Sequence, residues 1–278
     1  MKKTFLFIAI ALAFVACNKI EGPYLTQSHQ EDVDVTFPDI DPNAVYRKIL
    51  FDEYTGHRCT NCPDGHNILK GLLNEYGDTL IAVCIHAGDF ANLNEANIGL
   101  SYDFTTETGD QLYSDFGQPF NPGAIINRNG TTLPKQYWAS ALQMADRSRH
   151  AAIQIINQFN ESDQTLKINT RTTFLEDYDQ TVLLSLLLVE DSVIKPQKFD
   201  DHVDANYVHN HVLRAGINGH YGKYISQNGM VSKDAEYLYG YSLDFKGHDW
   251  AAEHCSVIAI LLDENSKEVL QVEKAKVK

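Results

Sequence analysis

Two cysteines separated by two residues, Cys59 and Cys62, have the types and spacing that most directly suggest chemistry in this chain. They lie in the stretch TGHRCTNCPDGH, residues 55–66. Such a pair serves as a redox disulfide, a zinc site, a haem attachment site or a structural disulfide. Haem attachment requires a histidine directly after the second cysteine, and Pro63 occupies that position. The haem interpretation is therefore excluded.

Zinc is disfavoured by the crowding of its potential ligands. His57, Cys59, Cys62 and His66 all fall within ten residues, whereas structural zinc sites usually take their second ligand pair from a distant turn. We therefore expect neither a metal nor a cofactor. Two interpretations stay open, namely thiol–disulfide exchange and a local structural disulfide.

The neighbours of the pair favour exchange. A strand-like segment, RKILFDEYT, precedes it, and a helical pattern follows, with Pro63 suited to the first turn. A cysteine at a helix N-terminus is stabilised as a thiolate, and His57 and Arg58 add positive charge nearby. We expect Cys59 to be the exposed, attacking sulfur and Cys62 to resolve the mixed disulfide.

Glu53 is the candidate proton carrier. It lies at the end of the strand before the pair, where a buried carboxyl with a raised pKa would exchange a proton with Cys62. The alternative is an exposed residue at the strand end, because strand parity does not decide whether Asp52 or Glu53 points inward.

Pro122 is the candidate for a second recurring feature of such sites. In thioredoxin-like proteins a cis-proline opens a strand that faces the cysteine pair. Pro122 directly precedes the strand-like Gly-Ala-Ile-Ile, whereas the competing Pro119 does not. Asn121 would then offer its backbone to an extended substrate chain by strand pairing, with Arg58 beside the same groove.

The elements that position these residues predict two domains. Residues 45–150 alternate strand and helix patterns, which indicates an α/β domain. Residues 151–278 contain strand-like runs separated by turn residues, which is typical of an antiparallel sandwich. Residues 17–44 are polar, acidic and dotted with proline, and we expect a flexible tether there.

The N-terminus predicts export and lipidation. Lys2 and Lys3 precede an uncharged apolar run, and residues 1–16 have the features of a cleaved signal. The sequence FVAC resembles a lipobox with Cys17 as the lipidated residue, although an ordinary signal peptide is the alternative. Without residues 1–16 the chain has 21 basic and 37 acidic residues, a balance that disfavours nucleic acid and anionic lipid as partners. A lipid is thus the only membrane anchor we expect.

Three segments together resemble a known family: EYTGHRCTNCPDGH, NPGAIINRNG and YVHNHVLRAGINGHYG. They look like the outer-membrane-protein-28 family of bacterial lipoproteins. The resemblance implies a thioredoxin-like α/β domain followed by an all-β, immunoglobulin-like sandwich, carried by an outer-membrane lipoprotein. Arg58 stands where thioredoxin has tryptophan, and Thr60 and Asn61 replace Gly-Pro. The redox potential of thioredoxin is therefore not transferable.

Two functions follow from these observations. The first is exchange with cysteine-containing protein or peptide clients, together with a redox partner protein. The second is a non-enzymatic surface lipoprotein whose sandwich binds a protein, glycan or host ligand, with Cys59–Cys62 as a structural disulfide.

Two other cysteines and two other histidines are candidates for further sites. Cys84 and Cys255 are expected to be separate buried residues, with a disulfide between them as the alternative. His209 and His211 would share a strand face if that stretch is extended, but scattered structural histidines are favoured over a metal site there.

Overall fold

The computed structural model describes residues 28–226 and 229–278. The predicted signal peptide (residues 1–16), the predicted lipidation site Cys17 and residues 18–27 of the predicted tether lie outside the described residues. The described chain is a mixed helix-and-strand fold that consists mostly of β-sheet. Its α-helices all lie between residues 62 and 144 of the described part, and strands and loops follow from residue 151.

The strands, in chain order, are β1 Ser28–Glu31, β2 Ile49–Thr55, β3 Leu80–His86, β4 Gly123–Ile126, β5 Leu133–Pro134, β6 Ala151–Asn160, β7 Thr165–Phe174, β8 Val182–Glu190, β9 Val193–Ile194, β10 Gln197–Lys198, β11 Val203–Asp204, β12 Val208–His209, β13 Val212–Gly216, β14 Lys223–Tyr224, β15 Glu236–Asp244, β16 Cys255–Asp263 and β17 Val269–Lys276. The α-helices are α1 Cys62–Tyr76, α2 Glu107–Asp115 and α3 Trp138–Met144. Single 3₁₀ turns occur at Gly77–Thr79, Asp89–Ala91, Ala96–Ile98 and Lys135–Tyr137.

The larger sheet joins strands from both sides of residue 150. Its order is β17-β16-β8-β13-β3-β2-β4-β5, with β14 also paired to β8. Strand β3 is parallel to both β2 and β13, and all seven of its residues, LIAVCIH, are buried. A continuous apolar run predicts such a strand, because both of its faces are covered.

Helices α1 and α3 cover one face of β2 and β3. Leu69 of α1 and Trp138 of α3 pack against this face, and the Trp138 ring meets Phe51 edge-on with centroids 5.0 Å apart. Helix α1 has the predicted spacing of apolar residues and ends at Tyr76. Gly77 caps it, with a φ of 58° that suits glycine. Leu112 of α2 packs in the core on the opposite face of β2. Helices α1 and α3 therefore lie on one face of the sheet and α2 lies on the other.

The second sheet has the order β1-β15-β7-β6. Its inward residues, such as Leu166 and Leu243, share a core with Leu186 of β8 and Val257 of β16. The two sheets thus pack face to face over residues that alternate along their strands.

Residues 28–44 depart from the predicted tether. Ser28–Glu31 pairs with β15, and Phe37 is buried beneath the guanidinium of Arg171, which lies 5.4 Å from the ring centroid. The approach of β1 requires Gly240, where a Cβ would stand 2.7 Å from the carbonyl oxygen of Glu31. Composition alone predicted a free coil here, but strand pairing and one aromatic anchor hold this part of the segment on the sheet.

Candidate functional site

The cysteine pair lies in the turn between β2 and α1. Cys59 and Cys62 form a disulfide with their Cα atoms 5.4 Å apart. Cys62 is the first residue of α1, and Pro63 occupies its first turn as predicted. Cys59 lies one turn earlier, where its carbonyl oxygen accepts a hydrogen bond of 3.3 Å from the Cys62 N–H.

The prediction that Cys59 is exposed is wrong. Cys59 is 2% exposed and Cys62 is 0% exposed. Strand β10 of the C-terminal half, which pairs with β11, lies against the turn that carries the pair. Gln197 donates its side-chain N–H to the carbonyl oxygen of Cys59 at 3.0 Å, and the Lys198 backbone N–H donates to the carbonyl oxygen of His57 at 2.8 Å. We name Gln197–Asp204 the cover segment.

The Arg58 guanidinium contacts the segment of residues 89–95. Its guanidinium donates to the carbonyl oxygen of Asp89 and to the Asn92 side chain, each at 2.5 Å, and lies 3.1 Å from a Glu95 oxygen. The other Glu95 oxygen is 2.5 Å from Lys198 Nζ. Hydrogen bonds from Lys198 and Arg58 lower the pKa of Glu95. Glu95 therefore ties the cover segment to the turn that carries the disulfide.

Pro122 lies against the first turn of α1. The Asn121–Pro122 peptide bond is cis, and β4 begins directly after it. A Cβ built on Gly65 would stand 2.9 Å from the Pro122 Cβ and 3.0 Å from Glu53 Oε1. The start of α1, Pro122 and Glu53 thus come together, although they are far apart in the sequence. The Asn121 side-chain nitrogen is buried without a hydrogen-bond partner.

Glu53 points inward and is fully buried. Its Oε2 accepts a hydrogen bond from the Cys84 thiol at 3.4 Å. Its Oε1 has no hydrogen-bond partner in the part of the chain that the structure describes, and it lies 3.7 Å from His66 Nε2. Burial raises the pKa of Glu53 to about 8, and the Cys84 hydrogen bond opposes this only in part. At neutral pH the carboxyl is therefore mostly protonated and able to donate a proton.

His66 and Cys84 also lie in this site, although the sequence assigned neither of them a role in thiol–disulfide exchange. His66 Nδ1 lies 2.7 Å from the Tyr207 hydroxyl, and Nε2 lies 3.0 Å from the Thr55 hydroxyl. Burial lowers the pKa of His66 to about 4, so the ring is neutral at pH 7. The parallel register of β2 and β3, which places Glu53 opposite Cys84, is the signal that would have identified the thiol.

Three further histidines surround the ring of Phe104. His57, His86 and His209 have ring centroids 5.6, 4.4 and 4.6 Å from it, and burial lowers the pKa of each. Within residues 28–226 and 229–278, no three metal-ligating side chains are placed to share an ion.

The predicted strand face shared by His209 and His211 is not formed. His209 ends β12, whereas His211 has a φ of 57° and reaches Asp191 at 3.0 Å. Cys84 and Cys255 are both free and buried, as expected for separate thiols.

Comparison with known proteins identifies relatives of the chain. The family described as outer membrane protein Omp28 matches residues 109–278. HBP35 of Porphyromonas gingivalis has a similar fold, with a TM-score of 0.62 and 13% identity over 84% of this chain and 76% of that chain. A domain of the outer membrane lipoprotein Omp28 from Porphyromonas gingivalis is 22% identical, with a TM-score of 0.32, over 47% of this chain and 89% of that chain. No curated protein matches.

The match to the Omp28 family model agrees with the family resemblance carried by the sequence motifs. Among the described residues, no α-helix combines the length and the apolar character needed to cross a membrane. The matched residues make up more than half of the chain. The chain is an outer-membrane protein and belongs to the outer membrane protein Omp28 family.

Proposed function

We propose that the protein is a lipid-anchored, thioredoxin-like protein of the outer membrane that performs thiol–disulfide exchange through Cys59 and Cys62. In this proposal residues 45–150 form the thioredoxin-like domain, residues 151–278 form an immunoglobulin-like sandwich, and Cys17 carries the lipid. The clients are cysteine-containing proteins or peptides. The supporting observation is the buried Glu53 carboxyl, which lies against the first turn of the helix that Cys62 begins.

The Glu53 carboxyl supports an exchange function because burying it costs free energy. A buried carboxyl without a cationic partner loses the hydration of its charged form, and its pKa rises in consequence. Among the described residues, only the Cys84 thiol donates to it, and its Oε1 accepts no hydrogen bond. A structural disulfide between residues 59 and 62 gains nothing from such a group. A disulfide that opens and closes needs a proton for the sulfur that leaves, and a carboxyl with a pKa of about 8 supplies it at neutral pH.

The reaction of the oxidised pair proceeds in two steps. A client thiolate attacks the sulfur of Cys59, the Cys59–Cys62 bond breaks, and Glu53 protonates the departing sulfur of Cys62. A second client thiolate then attacks the client sulfur of the mixed disulfide and releases Cys59. The client is oxidised to a disulfide and the pair is reduced to a dithiol. A disulfide-bearing partner protein takes the two electrons and restores the pair.

The cover segment has to move before a client enters. It is held over the pair by the Gln197 and Lys198 hydrogen bonds and by the contacts of Glu95 with Lys198 and Arg58. The strands β10 and β11 pair over only two residues each, so few hydrogen bonds resist opening. Once it is displaced, an extended client has access to Cys59 and to the backbone at Asn121 and Pro122.

A trapping experiment tests this proposal. In Cys62→Ser the Cys59 thiolate attacks a client disulfide, which is the reverse of the second step, and no Cys62 thiol is present to release the client. We therefore expect mixed disulfides with disulfide-bearing proteins of the cell envelope to accumulate. The matched control, Cys59→Ser, is expected to trap few or none. Both are compared on non-reducing gels, alongside the reduction potential of the wild-type pair.

The competing function is a binding protein with a structural disulfide. Two observations favour it, namely the burial of both half-cystines and a cavity of about 980 Å³ between residues 101–110, β13 and the loop at 247–250. A reduction potential below about −300 mV, together with no trapped client, would establish this function instead.

A further inference from the structure

We propose that His66 and Tyr207 form a proton relay between the buried Glu53 carboxyl and the protein surface. The inference rests on the exchange reaction proposed above and adds the route by which its proton is replaced. It assigns a role to Tyr207, a residue of the C-terminal half that lies 145 positions after Cys62.

The relay consists of consecutive polar contacts. Glu53 Oε1 lies 3.7 Å from His66 Nε2, and the opposite ring nitrogen, Nδ1, lies 2.7 Å from the Tyr207 hydroxyl. The Glu53 side chain is 0% exposed and the His66 side chain is 17% exposed, while Tyr207 is half-buried. The contacts therefore lead outward from the core. Catalytic hydrogen bonds are often longer in a resting structure than during the reaction, which applies to the 3.7 Å step.

The hydrogen-bonding roles follow from the chemistry of the two side chains. Burial and the nearby Glu53 raise the pKa of Tyr207, so its hydroxyl stays protonated and donates to His66 Nδ1. Since His66 is neutral, its single ring proton must then be on Nε2. Nε2 lies 3.0 Å from the Thr55 hydroxyl and 3.7 Å from Glu53 Oε1. The ring is thus oriented to give a proton to the carboxylate.

Proton transfer along this route is balanced. After Glu53 has protonated Cys62, its carboxylate takes the proton from His66 Nε2. The Tyr207 hydroxyl gives its proton to Nδ1 and recovers one from water. The net change is one proton moved from water to Glu53, which leaves hydroxide in the solvent. The ring then carries its proton on Nδ1, and it returns to the starting tautomer by losing this proton and gaining one on Nε2 in exchange with solvent, to which the His66 side chain is 17% exposed. Because burial lowers the pKa of His66 to about 4, the two transfers on the ring are concerted and no imidazolium is stored.

The relay also links proton supply to client access. Tyr207 follows the cover segment in the chain by three residues, and its ring lies 5.9 Å from the Phe199 ring within that segment. Movement of the cover segment therefore displaces the outer end of the relay. Proton exchange at Glu53 is fast only when Tyr207 is in place.

The test uses the full chain and the variant Tyr207→Phe, which keeps the aromatic ring and removes only the hydroxyl. Difference infrared spectroscopy at pH 6 follows the protonated Glu53 carboxyl after transfer into D₂O, and the band is identified by its loss in Glu53→Gln. We expect hydrogen–deuterium exchange of this carboxyl to slow by roughly tenfold or more in Tyr207→Phe. Tyr178→Phe is the control, since it removes a hydroxyl that donates to Asp263 at 3.0 Å in the sandwich. We expect no change in that variant.

A second measurement separates a relay from a purely structural contact. The rate of reduction of Cys59–Cys62 by dithiothreitol is measured with increasing imidazole buffer at constant pH and ionic strength. A small buffer acid replaces a missing proton donor, so added imidazole should restore the Tyr207→Phe rate and leave the wild-type rate unchanged. A contact that only stabilises the fold would not be rescued.

The outcomes distinguish the relay from the exchange function. Equal carboxyl exchange rates in the wild type and Tyr207→Phe would overturn the relay, whatever the redox activity. Slow carboxyl exchange in Tyr207→Phe without any trapped client in Cys62→Ser would support the relay and overturn the proposed function.

Discussion

Two neighbouring carboxyl groups on β2, Asp52 and Glu53, are both fully buried but have different surroundings. Asp52 faces Arg128, whose Nε donates to its Oδ2 at 2.8 Å. Glu53 faces the opposite side of the sheet, where a thiol is its hydrogen-bond donor. Since successive residues of a strand point to opposite faces, one element presents a paired and an unpaired carboxyl.

The two carboxyl groups of β2 differ in whether a cation offsets the effect of burial. Burial raises the pKa of both groups. At Asp52 the Arg128 guanidinium opposes this, and the two charges stabilise each other between the sheet and its edge turn. At Glu53 no cation within residues 28–226 and 229–278 opposes it, and the carboxyl keeps its proton up to about pH 8. Asp52 therefore holds β2 to the turn after β4, whereas Glu53 remains able to gain and lose a proton.

Removing the Arg128 cation is expected to have the largest effect on stability. In Arg128→Met the Asp52 carboxyl is left buried without a partner, and we expect the free energy of unfolding to fall by about 3–5 kcal/mol. Urea unfolding at pH 7 measures the change. The control is Lys135→Met, because the Lys135–Asp64 pair is exposed, with the Asp64 side chain 71% accessible. We expect the control to cost less than about 1 kcal/mol, and equal losses in the two variants would contradict a structural role for Asp52–Arg128.

Removing the unpaired carboxyl should change the pH dependence of stability. The pKa of Glu53 rises from 4.5 to about 8 on folding, so between these values the folded state holds a proton that the unfolded state has lost. The contribution of Glu53 is therefore fully present below pH 4.5 and is lost as the pH rises toward 8, by roughly 1 kcal/mol per pH unit. Glu53→Gln should remove this slope.

The measurement for Glu53→Gln is a set of urea unfolding curves between about pH 5 and pH 8, with the disulfide intact. Asp64→Asn, on the exposed side of α1, should keep the wild-type slope. If the Glu53→Gln protein also keeps the wild-type slope of stability against pH, the Glu53 carboxyl ionises normally in the folded state.

The sequence predicted the helices and strands better than it predicted which residues surround each side chain. Apolar periodicity identified α1, β3 and the long strands after residue 151, because burial of one or both faces leaves a repeating pattern. The strand-like Gly-Ala-Ile-Ile directly after Pro122 identified this residue, and not Pro119, as the candidate cis-proline. Whether Glu53 or Asp52 faces α1 remained open, because a strand of uncertain register gives no direction to either side chain.

The cover and the relay could not be read from local sequence. Gln197, Lys198 and Tyr207 reach the site through long-range contacts with Cys59, His57 and His66. Their own segment is short, irregular and paired over only two residues per strand, so it has no periodic pattern. The expectation of an exposed Cys59 failed for the same reason, since exposure depends on whatever another part of the chain places above it.

The smallest effect that we expect concerns the space around the Glu53 carboxyl. Gly65 and Gly71 both lie in α1, and neither has a positive φ. A Cβ at Gly65 would meet the Pro122 Cβ at 2.9 Å, Glu53 Oε1 at 3.0 Å and the Trp138 ring at 3.2 Å, whereas a Cβ at Gly71 would meet nothing within 4 Å. We expect Gly65→Ala to destabilise the protein by roughly 1–3 kcal/mol through overpacking.

Gly71→Ala is the matched variant on the same helix. It should stabilise the protein by about 0.5–1 kcal/mol, since alanine favours the helix and reduces the freedom of the unfolded chain. Urea unfolding of both variants under identical conditions gives the difference directly. If the two substitutions had the same effect, the space around Glu53 would accept an extra methyl group. Water would then have room to hydrate the carboxyl, and the enclosure that raises its pKa would be absent.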